Sequence, residues 1–514
     1  MRSPAATVTR IALGVVLLAL AWRAADVLQA ALSAVGFTLN LDYGEGIVLQ
    51  QALLVTGPRA YGDIAQYPFI VFHYPPGYLL AVHALASLGL DLVGAARSLS
   101  IAATLAMATA IGAIVHTALG GGRAGRAALF GAAVGALALF AFSPVPHWMP
   151  LARVDMLAIA FTLSGLALAI HAPDRPWLTL GAALLFSLAV YTRQTTLAAP
   201  LAATLMLLFA SPRAALRLIA AGLAISLLAL AAAMLLTEGG FLRHLLLYNI
   251  NRYGQQGLWM TYRFAIGHAV PIGIALVAAL GLAWTLLRPG WRALRQALRT
   301  RTETRATTAV LLYLAISTPL LALALKSGSS VNYFLEWICG CAMVIGILSG
   351  RAAAALRDGT ARRAPVAAAA VLAAGLLVLH LARLPDPRHG VLSHPAYAPR
   401  FMHALVELVR SSPKPVLSDD MVLLLRAGKE VPWEPAIFAE LASLGRWDEA
   451  RLVEMIRAGR FGLAVTIGDR GDLMFDSRYN PPVAAALDAA FPRRIRHAWL
   501  VIRLPEGSDW TPPP

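Results

Sequence analysis

Eleven stretches of about twenty mostly apolar residues follow one another along this chain, a length that matches the hydrocarbon core of a bilayer. They fall near residues 11–35, 94–119, 127–146, 154–171, 177–192, 194–210, 214–237, 264–287, 306–326, 332–350 and 364–383. Apolar residues make up 58% of the 514 and charged residues only 14%, too few to cover a soluble surface. The pattern predicts a mainly α, polytopic membrane bundle of about eleven spans. Cys339 and Cys341 fall inside one span, where they read as buried thiols rather than a disulfide framework.

The net charge of +16 points to membrane orientation, not to nucleic acid, because of where the arginines sit. With the N-terminus inside, about seventeen arginines fall in inward loops, including six between Arg288 and Arg305 and four between Arg351 and Arg363. Outward loops hold roughly eight, together with most of the acids: Asp42, Glu45, Asp63, Asp91, Asp155, Glu238 and Glu336. This predicts a multi-pass protein of the cytoplasmic (inner) membrane. Pro75–Leu90 reads as a helix along the outer surface, since a crossing there would put Gly120–Arg126 on the wrong side.

After Arg383 the composition becomes that of a soluble protein. LPDPRHG reads as a linker, so the expected division is a membrane domain at 1–383 and an outward α/β domain at 384–514. Short β-rich runs (Pro415–Ser418, Leu463–Ile467, Ala498–Leu504) alternate there with helical patterns (Glu434–Leu444, Trp447–Ala458).

The residues able to carry chemistry gather on the outward side. Asp42 and Glu45 in LDYGEG, three apart, share a face if the segment turns helically. They read as a general base for an acceptor hydroxyl, with the second carboxylate available to a divalent cation. His73 is a further metal candidate, without a clear partner ligand. Asp155 in PLARVDML opens the fourth span. Arg97, Arg153, Arg193, Arg252, Arg263 and Lys326 stand near outward span ends, where guanidinium forks suit a departing phosphate. For any single one of them, contact with lipid headgroups is the stronger reading, since interfacial arginines commonly snorkel. The loop Phe241–Arg263 is rich in aromatic and amide side chains, which suit either sugar hydroxyls or an interfacial belt. In SGSSVNYFLEW, Asn332, Tyr333 and Glu336 either line a site or cap a span. Arg23 and Asp26, at i,i+3 in the first span, read as an intrahelical pair. There is no Walker loop, dinucleotide fingerprint, zinc spacing or serine-hydrolase elbow.

In their order and spacing DYGEG, YPPGY, AARSLS, ARVDMLA, YTRQTTLAAP and NYFLEW resemble the membrane-embedded C-type glycosyltransferases. The nearest groups are the protein O-mannosyltransferase-like bacterial enzymes and the lipid A aminoarabinose transferases, and the resemblance covers most of residues 1–350. It implies a polyprenyl-phosphate sugar donor, transfer outside the cytoplasmic membrane, and an envelope glycan, lipid or protein as acceptor. It places Asp42 on the acidic residue of the first outward loop and Asp155 on a second functional acid. Where that family usually has Glu after the Asp, this chain has Tyr43, with the Glu displaced to Glu45. His73 and Tyr74 stand where the aminoarabinose enzymes carry a Glu–Lys pair before the two prolines. The competing class is a transporter or flippase of polyprenyl-linked lipid. Transporters place ionisable groups near the bilayer midplane, whereas here the midspan regions are nearly free of charge.

Overall fold

A computed structural model describes residues 4–513 apart from 124, 250–252, 327, 357–362, 390–391, 393 and 395–396; Arg252 lies outside the described residues. Eleven helices stand where the apolar stretches predict them. They are Pro4–Val35, Leu92–Ala118, Arg126–Ala138, Asp155–His171, Leu178–Val190, Ala198–Ala210, Pro212–Leu236, Ala269–Leu287, Thr302–Leu320, Leu335–Ala355 and Arg363–Ala382. Among the described residues, six are long and apolar enough to cross a membrane by length and composition, and the other five are shorter apolar helices. Gly77–Ser87 has eleven residues. That is about 16 Å of helix against a hydrocarbon core of about 30 Å, in keeping with a surface position.

Leu335–Ala355 is the axis of the bundle: 83% of its span is buried inside the protein, against 6% for Pro212–Leu236 at the periphery. Cys339 and Cys341 lie on this axial helix, both buried and free. Lipid tails are as apolar as leucine, so burial of apolar surface does not drive two spans together, and close packing must. Gly131 and Gly135 on one helix face Gly346 and Gly350 on the axial helix, each pair four residues apart. A Cβ added at Gly346 would sit 2.7 Å from the Gly131 carbonyl oxygen and 2.9 Å from the Gly135 nitrogen.

Beyond Ala382 the chain forms a four-stranded sheet with helices around it. The strands are β1 (Leu417–Ser418), β2 (Ala464–Ile467), β3 (Arg493–His497) and β4 (Leu500–Leu504), in the order β1-β2-β4-β3. β1 runs parallel to β2, while β4 is antiparallel to both β2 and β3. β3 goes beyond the sequence reading: Arg494 and Arg496 are exposed while Arg493, Ile495 and His497 are half-buried, so it carries no apolar run. The apolar cores here are shared with the segment between Pro4–Val35 and Leu92–Ala118: Phe69 and Val71 pack with Trp433 and Phe438, and Val48 and Leu49 with Val422 and Leu423. Asp91 accepts from the Gly94 amide to cap Leu92–Ala118 and also pairs with Arg426 at 2.6 Å.

Gly346→Ala forces a side chain against backbone, and overpacking of this kind costs about 1–3 kcal/mol. The detergent-solubilised variant melts below wild type. Gly222→Ala, with nothing within 4 Å of the added Cβ, leaves the melting temperature unchanged. Equal melting of Gly346→Ala and wild type would refute the glycine contact.

Candidate active site

The segment after the first helix is held by one buried ion pair. Arg97 and Glu45 are both fully buried. Arg97 Nε donates to Glu45 Oε1 (3.0 Å) and its Nη2 to Oε2 (2.9 Å). Its other N–H groups serve the carbonyls of Ala34 (3.1 Å), Phe37 (2.7 Å) and Leu39 (2.8 Å). A guanidinium has five N–H donors, and all five are used. Glu45 also accepts from the amides of Ala152 (2.8 Å) and Leu41 (2.7 Å). Burial pushes its pKa up, but the Arg97 charge and these hydrogen bonds outweigh burial and hold it below the usual carboxylate range. This corrects the expectation that Arg97 meets substrate and that Glu45 acts as a base: neither has a free donor or lone pair.

Asp42 stands differently. Its Oδ1 accepts from Arg153 Nη1 (3.1 Å) and the Gly44 amide (3.1 Å), while Oδ2 has no partner among the described residues and the side chain is 25% exposed. A Cβ on Gly44 would meet Arg153 Nη1 at 1.4 Å, so glycine is what lets the guanidinium reach the loop. Arg153 Nη2 also donates to the Tyr74 hydroxyl (3.3 Å), and its guanidinium lies over the Trp148 ring. Trp148 in turn donates to Asp155 Oδ2 (2.8 Å). Asp155 Oδ1 takes Arg193 (2.9 Å) and Asn332 (2.8 Å), and Arg193 lies over the Tyr333 ring. One continuous chain of contacts thus joins Asp42, Arg153, Asp155, Arg193 and Asn332 at a single end of the bundle.

His73 lies 3.3 Å from Glu434, through Nε2 and Oε2. The Gln51 amide nitrogen donates to the Val71 carbonyl (2.6 Å) and to His73 Nδ1 (3.2 Å). The Val71 carbonyl fixes the amide's orientation, so Nδ1 must accept and the proton of the neutral ring sits on Nε2. Burial, with the charge of Arg153 next, lowers the His73 pKa to about 3. Of the three metal candidates only Asp42 keeps a free oxygen. Among the described residues no three His, Cys, Asp or Glu side chains converge to hold an ion. Two arginines stand beside them, and this donor set does not fit a resident divalent cation.

The C-terminal domain grips the Asp42 loop on both sides. Asp420 accepts from the Asn40 amide, the Tyr43 hydroxyl accepts from the Ala436 amide (3.1 Å), and Gln50 accepts from Val431 (3.3 Å). The Arg478 guanidinium lies 3.9 Å from the Tyr43 ring centroid and pairs with Asp419. A Cβ on Gly46 would meet the Met421 carbonyl carbon at 2.6 Å.

Several buried polar atoms around these contacts have no hydrogen-bond partner among the described residues: Arg153 Nε, Gln194 Oε1, Asn332 Oδ1 and Glu336 Oε1. Such atoms are rare in folded proteins, where water, an ion or a ligand completes the bonding. Gln194 and Asn249 both donate to the His73 carbonyl. Gln51, Trp148, Glu434 and Arg478 are members of the site that the sequence reading missed. Only the apolar, uncharged setting of Trp148, seven residues before Asp155, offered a cue. Lys326 is half-buried, joined to Tyr253 by a backbone bridge, and its amine makes no hydrogen bond or ion pair among the described residues.

No protein-family model matches the chain, and no curated protein sequence matches it significantly. Solved structures do. ArnT from Cupriavidus metallidurans bound to undecaprenyl phosphate aligns over 97% of this chain and 99% of its own, with a TM-score of 0.59 and 15% identity. The apo state of ArnT aligns over 94% and 97%, with a TM-score of 0.57 and 13% identity. The archaeal oligosaccharyltransferase AglB from Archaeoglobus fulgidus aligns over 87% and 69%, with a TM-score of 0.46 and 12% identity. The chain has the fold of the membrane-embedded C-type glycosyltransferases.

Two variants test this geometry. Arg97→Met strands the Glu45 carboxylate and three carbonyls away from water, which costs about 3–5 kcal/mol. Its melting temperature falls accordingly, and an unchanged one would refute the ion pair as the anchor. For Glu434, burial raises the pKa to about 8 against the opposing charges of Arg153 and Arg478. An acid whose folded pKa exceeds its unfolded value of about 4.3 destabilises the fold progressively between those two pH values. Glu434→Gln removes that penalty, so variant and wild type melt together near pH 4 and the variant melts higher above about pH 8. Parallel melting curves across that range would refute the buried carboxyl.

Proposed function

We propose that this protein is an inverting glycosyltransferase acting at the outer face of the cytoplasmic membrane. It moves a sugar from a polyprenyl-phosphate donor to a hydroxyl on an envelope glycan, lipid or protein. The observation that carries this reading is the free Oδ2 of Asp42 beside Arg153, within a cluster of buried polar atoms lacking partners. The shared fold supports it, since a protein of that fold was solved with undecaprenyl phosphate bound.

In the mechanism, Asp42 Oδ2 takes the proton of the acceptor hydroxyl as its oxygen attacks the anomeric carbon. The bond from that carbon to the phosphate oxygen breaks, and the electron pair leaves with the phosphate. Polyprenyl phosphate and an inverted glycoside result. Phosphate leaves without prior protonation, so one carboxylate suffices, unlike the pair needed to cleave an ordinary glycoside. Arg153 and Arg193 supply positive charge where the leaving phosphate gains its negative charge. Asp155 holds Arg193 and Asn332 at fixed positions, and its own oxygens are occupied. Gln194, Asn332 and Glu336 bind sugar or acceptor hydroxyls through their unpartnered atoms.

The test is transfer in proteoliposomes with a panel of radiolabelled polyprenyl-phosphate sugars. Wild type releases polyprenyl phosphate, while Asp42→Asn lowers the rate on the order of 10²–10⁴-fold with melting unchanged. Donor consumption that survives Asp42→Asn places the base elsewhere. Movement of intact lipid between leaflets, with no donor consumed, makes the protein a flippase instead.

A further inference from the structure

At the end of the bundle opposite Asp42, the connection between Ala269–Leu287 and Thr302–Leu320 forms a helix of its own, Trp291–Thr300. Asn332, just beyond the return span Thr302–Leu325, bonds Asp155 at the site end, so this short helix stands a full membrane crossing away from the site. Leu294 and Leu298, one turn apart, are buried and face the neighbouring helices Ala198–Ala210 and Thr302–Leu320. Trp291 meets Phe209 edge-on, with ring centroids 4.9 Å apart. The apolar face of this helix is thus already taken by the bundle.

The basic face is not. Arg292, Arg295 and Arg299, at i, i+3 and i+7, form a stripe roughly 110° around the helix from the leucines. Arg288 and Arg301 flank it. All five are exposed, and none makes a side-chain hydrogen bond or ion pair among the described residues. Arg305, a few residues on, shows the contrast: it is buried and paired with Asp174. Trp177, Trp284 and Trp291 are exposed at this same end. Exposed tryptophans settle at the level of the lipid headgroups, which puts the arginine stripe at that depth.

We propose that this stripe binds the phosphate groups of anionic phospholipids in the leaflet opposite the Asp42 side. Guanidinium forks match phosphate oxygens bidentately, and arginines near an anionic surface bind it additively. The bound lipid holds the Arg288–Thr302 connection, and with it the ends of two spans, at the membrane surface. Nothing in this surface depends on the chemistry at the other end.

The test uses the full-length protein in phosphatidylcholine nanodiscs with and without phosphatidylglycerol, reading retained lipids by native mass spectrometry and melting in parallel. Wild type keeps phosphatidylglycerol and melts higher in its presence. The triple variant Arg292→Gln, Arg295→Gln, Arg299→Gln loses that preference on the order of 10- to 100-fold. The corresponding triple lysine variant keeps most of it. If the glutamine triple does not fold, each single Arg→Gln variant shows a partial loss, and rising salt strips the lipid from wild type. Equal retention by wild type and the glutamine variants overturns the proposal. So does displacement of the lipid by inorganic phosphate at matched concentration, which would mark a site for free phosphate.

Discussion

The architecture of the site depends on the five donors of Arg97. The helix Pro4–Val35 ends facing a loop that must stay ordered without a sheet or a second helix to pair with. The carbonyls at its end and in the loop beyond it lack helical partners, and in a buried setting they need donors from elsewhere. Arg97 reaches back from Leu92–Ala118 to supply Ala34, Phe37 and Leu39, and Glu45 neutralises the charge this brings inside. A buried ion pair is rarely a source of net stability, because desolvation offsets most of the attraction. Its value here is geometric: helix end, loop and second helix are fixed to one another by a network that tolerates no alternative partner.

With that anchor in place, three residues upstream of Glu45 are free to be a site. Asp42 sits between the fixed Glu45 and the grip of the C-terminal domain on Asn40 and Tyr43. Tyr43 follows Asp42 directly. In this chain it is a handle: its ring lies under Arg478 and its hydroxyl takes the Ala436 amide. The C-terminal domain is therefore part of the scaffold that aims Asp42, and through Glu434 it enters the site itself.

The spans were legible because an apolar stretch of bilayer length is costly to keep anywhere but in a bilayer, and the one-sided gathering of acids was legible from charge alone. Roles within the gathering were not. Asp42 and Glu45 look equivalent in sequence, and only the Arg97 contact, fifty-two residues away, separates a saturated carboxylate from a free one. Glu434 reads as the start of an ordinary soluble helix until the fold sets it beside His73. Gly131, Gly135, Gly346 and Gly350 carry no signal of their own, because small residues are common in spans and only contact between two particular helices gives them meaning. β3 is a run of arginines with no apolar stretch in sequence, whereas β1, β2 and β4 fall within the β-rich runs at 415–418, 463–467 and 498–504.

Arginine carries the two ends of this bundle in opposite ways. At the Asp42 end Arg97, Arg153 and Arg193 each meet a carboxylate, and each is buried or nearly so. Such pairing makes a guanidinium tolerable beside hydrocarbon and holds it in one orientation, which a leaving phosphate requires. At the far end the arginines of Trp291–Thr300 stay exposed and, among the described residues, without partners, which suits a surface that must accept many headgroup positions. The 27 acidic residues fall well short of the 43 basic ones, so not every arginine can be neutralised within the chain. The shortage is met by concentrating carboxylates where position matters and leaving the membrane to supply negative charge where it does not. A transporter would need ionisable groups between these two ends, along a path through the midplane. The separation of paired from unpaired arginine, with apolar helix between, fits the proposed one-sided transfer and offers no such path.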